Sequence, residues 1–283
     1  MIPAAFDYAR PKSLEEAFEL LGKRAGDAKL IAGGHSLLPM MKLRLATPSL
    51  LIDISRIPGL EDIAFAGDRV TIGALTSHSA IAENADLGRA TPALTDAARQ
   101  IGDQQVRNRG TIGGSCAHGD PSSDYPAVLL ALDATFTVRS KGGTKTVAAS
   151  DFFRGMFETA VPPDAVLTEI AIGSAPRSAY VKFPHPASHY AVVGVAVKLE
   201  VQGSTIASAR VAITGVGDHA FRASAVERAL VGADTRSSND VRSACIDAAA
   251  GVEARSDVFA SGSYRSAMAD VYAVRAVLAA ANR

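Results

Sequence analysis

The chain has 283 residues, 48% of them apolar, with 29 basic and 29 acidic side chains. Such a length and apolar content suit one or two folded domains with a sizeable core and exclude a disordered chain. The charge balance excludes the basic face of a nucleic-acid or polybasic membrane binder, and no apolar run approaches the roughly 20 residues of a membrane span.

The opening MIPAAFDYARPKS lacks an apolar signal region, so no secretory signal is expected there. Ser13 and Glu16 form a capping-box pattern, which predicts a helix through about Arg24. Residues 29–32 read as a short buried strand entering Gly33–Gly34, with further strands at 50–54 and 69–72 and a helix at 92–102. The stretch RNRGTIGGSCAHGDPSSDYPAVLLALDA is glycine-rich and irregular, and it ends in a helix over about 125–132. Strands at 135–139 and 145–147 flank the turn Gly142–Gly143. Composition changes at GSAPRSA, residues 173–179. Beyond it come strands at 180–183, 191–201 and 209–214, then helices near 220–230, 240–252 and 264–281. In the last of these Tyr264, Met268, Val271, Tyr272 and Leu278 fall at helical spacing. Strands followed by helices give an α+β fold class.

Two glycine loops carry the chemical signal. AGGHS at 32–36 reads either as an anion cradle of backbone amides or as an ordinary strand-to-helix turn. TIGGS at 111–115 is a second such loop, followed by GDPSSD. Its Asp124 suits either a helix cap or an acceptor for a ligand's hydroxyls. Two anion-binding loops in one neutral domain suit a dinucleotide. The GVGDHA match at 215–220, with Asp234 downstream, is set aside as a Rossmann fingerprint because no second parallel strand follows it. Cys116 and Cys245 form no CxxC pair and offer no zinc or iron–sulfur ligand set, which suits a reducing, cytoplasmic setting.

AGGHSLLPMMKLR paired with RNRGTIGGSCAHGDPSSDYP resembles the FAD-binding medium subunits of the molybdenum hydroxylases. The nearest type is that of aerobic carbon monoxide dehydrogenase, with the FAD domain of xanthine dehydrogenase more distant. FDYARPKSLEEAFELL, TIGALTSHSAIAEN and ASGSYRSAMADVYAVRAVLAAA extend the resemblance over nearly the whole chain. It implies an α+β fold: a two-subdomain FAD-binding domain of the PCMH/VAO type at 1–175, with subdomains at about 1–56 and 57–175. A C-terminal α+β domain like that of the CO dehydrogenase flavoprotein would follow at 176–283.

The same resemblance implies a site. Leu30, Ile31, Ala32, Gly33, Gly34, His35, Ser36 and Leu37 would cradle the pyrophosphate, His35 by packing or by a polar contact. Thr111, Ile112, Gly113, Gly114 and Ser115 would form a second clamp, and Asp124 would meet the cofactor. Ile101 and Leu167 would pack on it, and Lys182 would lie near the isoalloxazine ring. The family usually reads TIGGN, and Ser115 here supplies one hydroxyl donor where the amide has two. No catalytic acid–base residue and no metal ligand is expected, because the flavin performs the redox step. The implied function is an electron-transfer subunit receiving electrons from 2Fe-2S clusters of a small subunit, beside a large molybdopterin subunit, in a dimer of heterotrimers. A self-contained FAD-dependent oxidoreductase and a non-redox assembly module are the alternatives.

Overall fold

In the computed structural model, which describes residues 1–24 and 26–283, three sheets surround a layer of helices. Strands β1 (Asp7–Ala9), β2 (Ala28–Ile31) and β3 (Leu50–Asp53) form a parallel sheet in the order β1-β3-β2. The helix Leu14–Lys23 covers it with Leu14, Ala17, Phe18 and Leu21. Ser13 caps the helix as expected, its Oγ accepting from Glu16 N at 3.2 Å, while Glu16 Oε2 accepts from Lys12 N at 2.6 Å, one residue ahead of the capping-box position. β2 ends at Ile31, so residues 32–36 leave the sheet as a loop before the short helix Leu37–Lys42.

A second, antiparallel sheet holds β4 (Ile63–Ala66), β5 (Arg69–Gly73), β6 (Thr135–Ser140) and β7 (Gly143–Ala148). After the small hairpin of β8 (Phe153–Gly155) and β9 (Glu158–Thr159), the chain returns as β10 (Ala165–Gly173). β10 inserts between β5 and β6 and is buried along nearly its whole length. The sequence reading did not include it. Its run AVLTEIAIG is apolar on both faces and so shows no period of two.

The third sheet is an antiparallel meander, β11 (Ser178–Pro184), β12 (Ala191–Gln202), β13 (Thr205–Thr214) and β14 (Phe221–Arg222). Alternation gives it two faces. Val193, Val195, Val197 and Leu199 pack under the C-terminal helices, including Gly262–Ala281. Tyr180, Ala196 and Ala212 point the other way and join the cluster of Leu94, Val128, Phe136 and Ile170. The helices Pro92–Gln100 and Asp124–Ala131 therefore lie between the second and third sheets.

Several expected bounds move. The 240–252 helix stops at Ala244, and Asp247 at φ 55° and Gly251 at φ 79° turn the chain beyond it. The 220–230 helix begins at Ser224 because Phe221 and Arg222 pair with β13. That pairing is antiparallel, so GVGDHA is a hairpin connection and not a dinucleotide turn. The TIGGS segment is no irregular loop: it is the start of a helix, Ile112–His118, with Thr111 at its N-cap.

Phe152 is fully buried, stacks on Phe136 at 3.8 Å between ring centroids and meets Phe153 edge-on. Phe152→Ala is expected to destabilise the fold by about 3–5 kcal/mol, read as a lower denaturation midpoint at unchanged slope. A loss under about 1 kcal/mol would remove this trio from the load of the core.

Candidate functional site

All three sheets contribute walls to one cleft of about 520 Å³. Residues 29–37 enter from the first sheet, Ala74, Ile101 and 110–124 from the second sheet and its helices, and Ser188, His189 and Tyr190 from the β11–β12 connection.

The 32–37 segment offers backbone donors. Leu38 N already donates to Gly34 O at 3.0 Å, but among the described residues the amides of 32–37 meet no acceptor in the protein. Gly34 has φ 78°, the left-handed conformation that turns successive amides to one side. Gly33 is glycine for another reason. A Cβ there would land on the carbonyl oxygen of Arg109, so the first loop packs directly against 109–110. At Gly110 a Cβ would meet His78 Nε2 at 2.5 Å, so the layer beneath is equally tight.

The second glycine segment behaves differently, which corrects the expectation of two amide cradles. Ile112 N donates to Thr76 O, Gly113 N to Ala74 O, Gly114 N to Thr111 Oγ1 and Ser115 N to Thr111 O, all at 2.8–3.1 Å. Every one of these donors is occupied within the protein. Gly113 and Gly114 line the cleft, and both are held to glycine by the protein: a Cβ at Gly113 would land on Ala74, and one at Gly114 would meet Thr111 Oγ1 at 2.8 Å. Ser115 Oγ sits 3.0 Å from Ser123 Oγ, so its hydroxyl already has a neighbour on the same wall.

Most of the residues named from the sequence lie together here. Leu30, Ile31, Ala32, Gly33, Gly34, His35, Ser36, Leu37, Ile101, Thr111, Gly113, Gly114, Ser115, Asp124 and Leu167 all line the cleft. Ile112 does not: its side chain is fully buried in the core, because position N1 of this helix faces inward. Lys182 is not a wall residue either. Its buried ammonium lies 2.8 Å from Asp124 Oδ1 and donates to Gln100 O at 2.7 Å and His189 O at 2.8 Å. It reaches the cleft through Asp124.

Asp124 is 4% exposed, and burial pushes its carboxyl up against the opposing pull of Lys182 and Tyr180. His78, Phe157, His189 and Tyr190 also line the cleft and were not picked out as site residues from the sequence. Phe157 at φ 59° and His189 at φ 61° sit in turns whose left-handed geometry has no glycine to announce it. His78 is buried, 3.1 Å through Nδ1 from Tyr125 Oη, and held down to about 3 mainly by that burial. It is a neutral imidazole. Burial pushes the Cys116 thiol up, which makes it a packed, unreactive group.

The residues fit a phosphate-bearing dinucleotide. A run of acceptor-free amides suits phosphate oxygens, glycines stand where its backbone neighbours come nearest, and apolar Ile101 and Leu167 flank a buried carboxylate. Together they define a flavoprotein, an oxidoreductase component built around one cofactor cleft. Residues 4–175 match the FAD binding domain in molybdopterin dehydrogenase, and residues 178–280 match the CO dehydrogenase flavoprotein C-terminal domain. The chain belongs to this family of molybdopterin dehydrogenase flavoproteins.

It is 41% identical over 284 residues to the carbon monoxide dehydrogenase medium chain of Hydrogenophaga pseudoflava, covering 99% of this chain and 98% of that one. It is 37% identical over 271 residues to subunit alpha of the 6-hydroxypseudooxynicotine dehydrogenase complex of Paenarthrobacter nicotinovorans, covering 94% and 91%. Among solved structures it superimposes at a TM-score of 0.94 on carbon monoxide dehydrogenase from Hydrogenophaga pseudoflava lacking the Mo-pyranopterin moiety. That match has 43% identity over 99% of this chain and 98% of the other.

Gly33→Val would force the first loop off Arg109 and disturb the amide run. Overpacking of this kind is worth 1–3 kcal/mol, so flavin affinity is expected to fall roughly tenfold or more with an unchanged far-UV circular dichroism spectrum. Wild-type flavin content in the variant would remove this contact from the site. The folded chain keeps His78 neutral to about pH 3, whereas an unfolded histidine protonates near 6.5. The unfolded state then binds more protons, so this contribution to stability is lost as pH falls from about 6.5 toward about 3. His78→Gln should flatten that part of the acid limb in denaturation curves taken from pH 7 to 4.

Proposed function

We propose that this chain is the FAD-binding electron-transfer subunit of a three-subunit molybdenum hydroxylase. It would take electrons from 2Fe-2S clusters of a small subunit, beside a large molybdopterin subunit, and deliver them to an external acceptor. The observation that carries the reading is the run of acceptor-free amides at 32–37, set in a cleft that Asp124 also lines. Residues 32–37 would hold the pyrophosphate, with the Ser36 hydroxyl beside them. Gly113, Gly114 and Ser115 would let the cofactor lie against the second segment. Asp124 would accept hydrogen bonds from its hydroxyl or N–H groups, and Ile101 and Leu167 would pack on its apolar surface.

Bound flavin supplies exchange between one-electron and two-electron carriers. The chain's part is to bind and orient it. His78 lines the cleft as a neutral imidazole, and the Cys116 thiol lies behind the wall, fully buried and protonated. Residues 1–175 would form the cofactor-binding domain, as subdomains of about 1–56 and 57–175, and 176–283 the domain that closes it. The named relatives act on carbon monoxide and on 6-hydroxypseudooxynicotine, yet both align over more than nine-tenths of this chain. That supports substrate selection on the molybdopterin subunit. Among the described residues no helix is long and apolar enough to cross a membrane, and a cytoplasmic dimer of heterotrimers is the assembly we propose.

The test is co-expression and purification with a large molybdopterin subunit and a small 2Fe-2S subunit, followed by heat release and chromatography of the cofactor. FAD at about one per chain, in a complex of all three subunits, is expected. FMN, no flavin, or a chain that elutes apart from both partners would overturn the reading.

A further inference from the structure

Asp124 belongs to the helix Asp124–Ala131, but the groups that hold it come from the third sheet. Tyr180 and Lys182 stand two residues apart on β11 and so present side chains on one face. The Tyr180 hydroxyl donates to Asp124 Oδ1 at 2.6 Å, and Lys182 Nζ approaches the same oxygen at 2.8 Å. Among the described residues both donors to Asp124 meet Oδ1 and none meets Oδ2, and Asp124 lines the cleft. One carboxylate oxygen is therefore fixed by the protein and the other is left for the cleft.

The neighbouring strands are shaped around this contact. Gly194 on β12 pairs with Lys182 on β11 and with Thr214 on β13. A Cβ at Gly194 would land on the Tyr180 hydroxyl oxygen, with Thr214 Cγ2 at 2.9 Å on the other side. The turn ahead of Asp124 is bound to the same sheet: Thr214 Oγ1 lies 2.9 Å from Pro121 O and 2.8 Å from Ser123 O, and Gly215 N donates to Pro121 O at 2.8 Å. Lys182 serves three acceptors at once, so its removal would open several walls. Among the described residues the Tyr180 hydroxyl serves Asp124 alone.

We propose that Tyr180 is a positioning residue of the cofactor cleft: its hydroxyl, housed by the missing side chain of Gly194, aims the Asp124 carboxylate. The inference rests on the reading that Asp124 meets the cofactor. A hydrogen bond to an ionised group is both stronger and more directional than a neutral one, so losing it costs alignment as well as charge stabilisation. Removing a donor to the ionised form also lets the carboxyl protonate more readily.

The experiment is a double-mutant cycle on flavin affinity, measured by flavin fluorescence as FAD is returned to the flavin-stripped complex of the full chain and its partner subunits. Tyr180→Phe should weaken FAD binding roughly tenfold. In an Asp124→Asn background it should add less than about twofold, since a residue acting through Asp124 has nothing left to act on. An equal loss in both backgrounds would show that Tyr180 supports the fold generally, and it would overturn the proposal. Wild-type affinity in Tyr180→Phe with weakened binding in Asp124→Asn would overturn it while leaving the Asp124 reading intact. Wild-type affinity in Asp124→Asn would overturn both. If Asp124→Asn binds FAD too weakly to titrate, Gly194→Ala decides. It must weaken FAD binding as Tyr180→Phe does and add less than about twofold to it in the double variant; additive losses would overturn the proposal.

Discussion

A carboxylate buried between two sheets is costly unless a donor meets it, and that constraint joins the two halves of this protein. Asp124 comes from the half carrying the glycine segments, and its ammonium and hydroxyl partners come from β11 of the C-terminal sheet. The pair is weak evidence of net stability, because desolvation offsets much of the attraction. Its consequence is specificity. Removing either partner strands a buried charge at a cost of about 3–5 kcal/mol, so a packing of the halves that misses this contact is strongly disfavoured. Lys182 extends the constraint by holding Gln100 O, beside the cleft residue Ile101, and the carbonyl of the cleft residue His189. The cleft is thus a product of how the halves meet as well as of the loops.

The two glycine segments resemble each other in sequence and divide the work in space. At 32–37 the chain leaves a sheet edge, and no ladder or helix takes up its amides. At 111–115 the chain begins a helix, and the cap, Thr76 and Ala74 take them up. One segment is a donor array and the other a smooth wall. Glycine serves both uses, for a left-handed residue at Gly34 and for backbone contact at Gly33 and Gly113.

Legibility followed the range of the interaction. The Ser13 helix cap, the strand leading into Gly33–Gly34 and the long final helix depend on residues within a few positions, and they were readable. β10 was not, because a strand buried on both faces loses its alternation. The glycine pairs marked the cleft, but which of them offers free amides depends on what occupies Thr76 and Ala74 across the fold. Ile112 was grouped with its glycine neighbours although position within the helix turns it into the core. Lys182 was placed near the ring by resemblance, and its pairing with Asp124, 58 residues away in the chain, had no local signal. Tyr180 carried no signal, since its bond to Asp124 crosses 56 residues of chain and its contact with Gly194 depends on the pairing of two strands.

The same geometry bears on how one scaffold serves different reactions. Burial holds the His78 imidazole of the cleft wall neutral and keeps the Cys116 thiol, fully buried behind that wall, protonated. Among the described residues of the wall, Asp124 is the buried carboxylate, and the third sheet meets it with an ammonium. On the proposed function, substrate chemistry would vary on another subunit while the sheet-to-helix contact at Asp124 is kept here. A change at β11 or Gly194 would be felt at the cofactor even though neither the strand nor the glycine stands in the cleft wall. On this argument the C-terminal domain is part of the cofactor site, and truncating it would cost flavin binding as well as whatever partner contacts it makes.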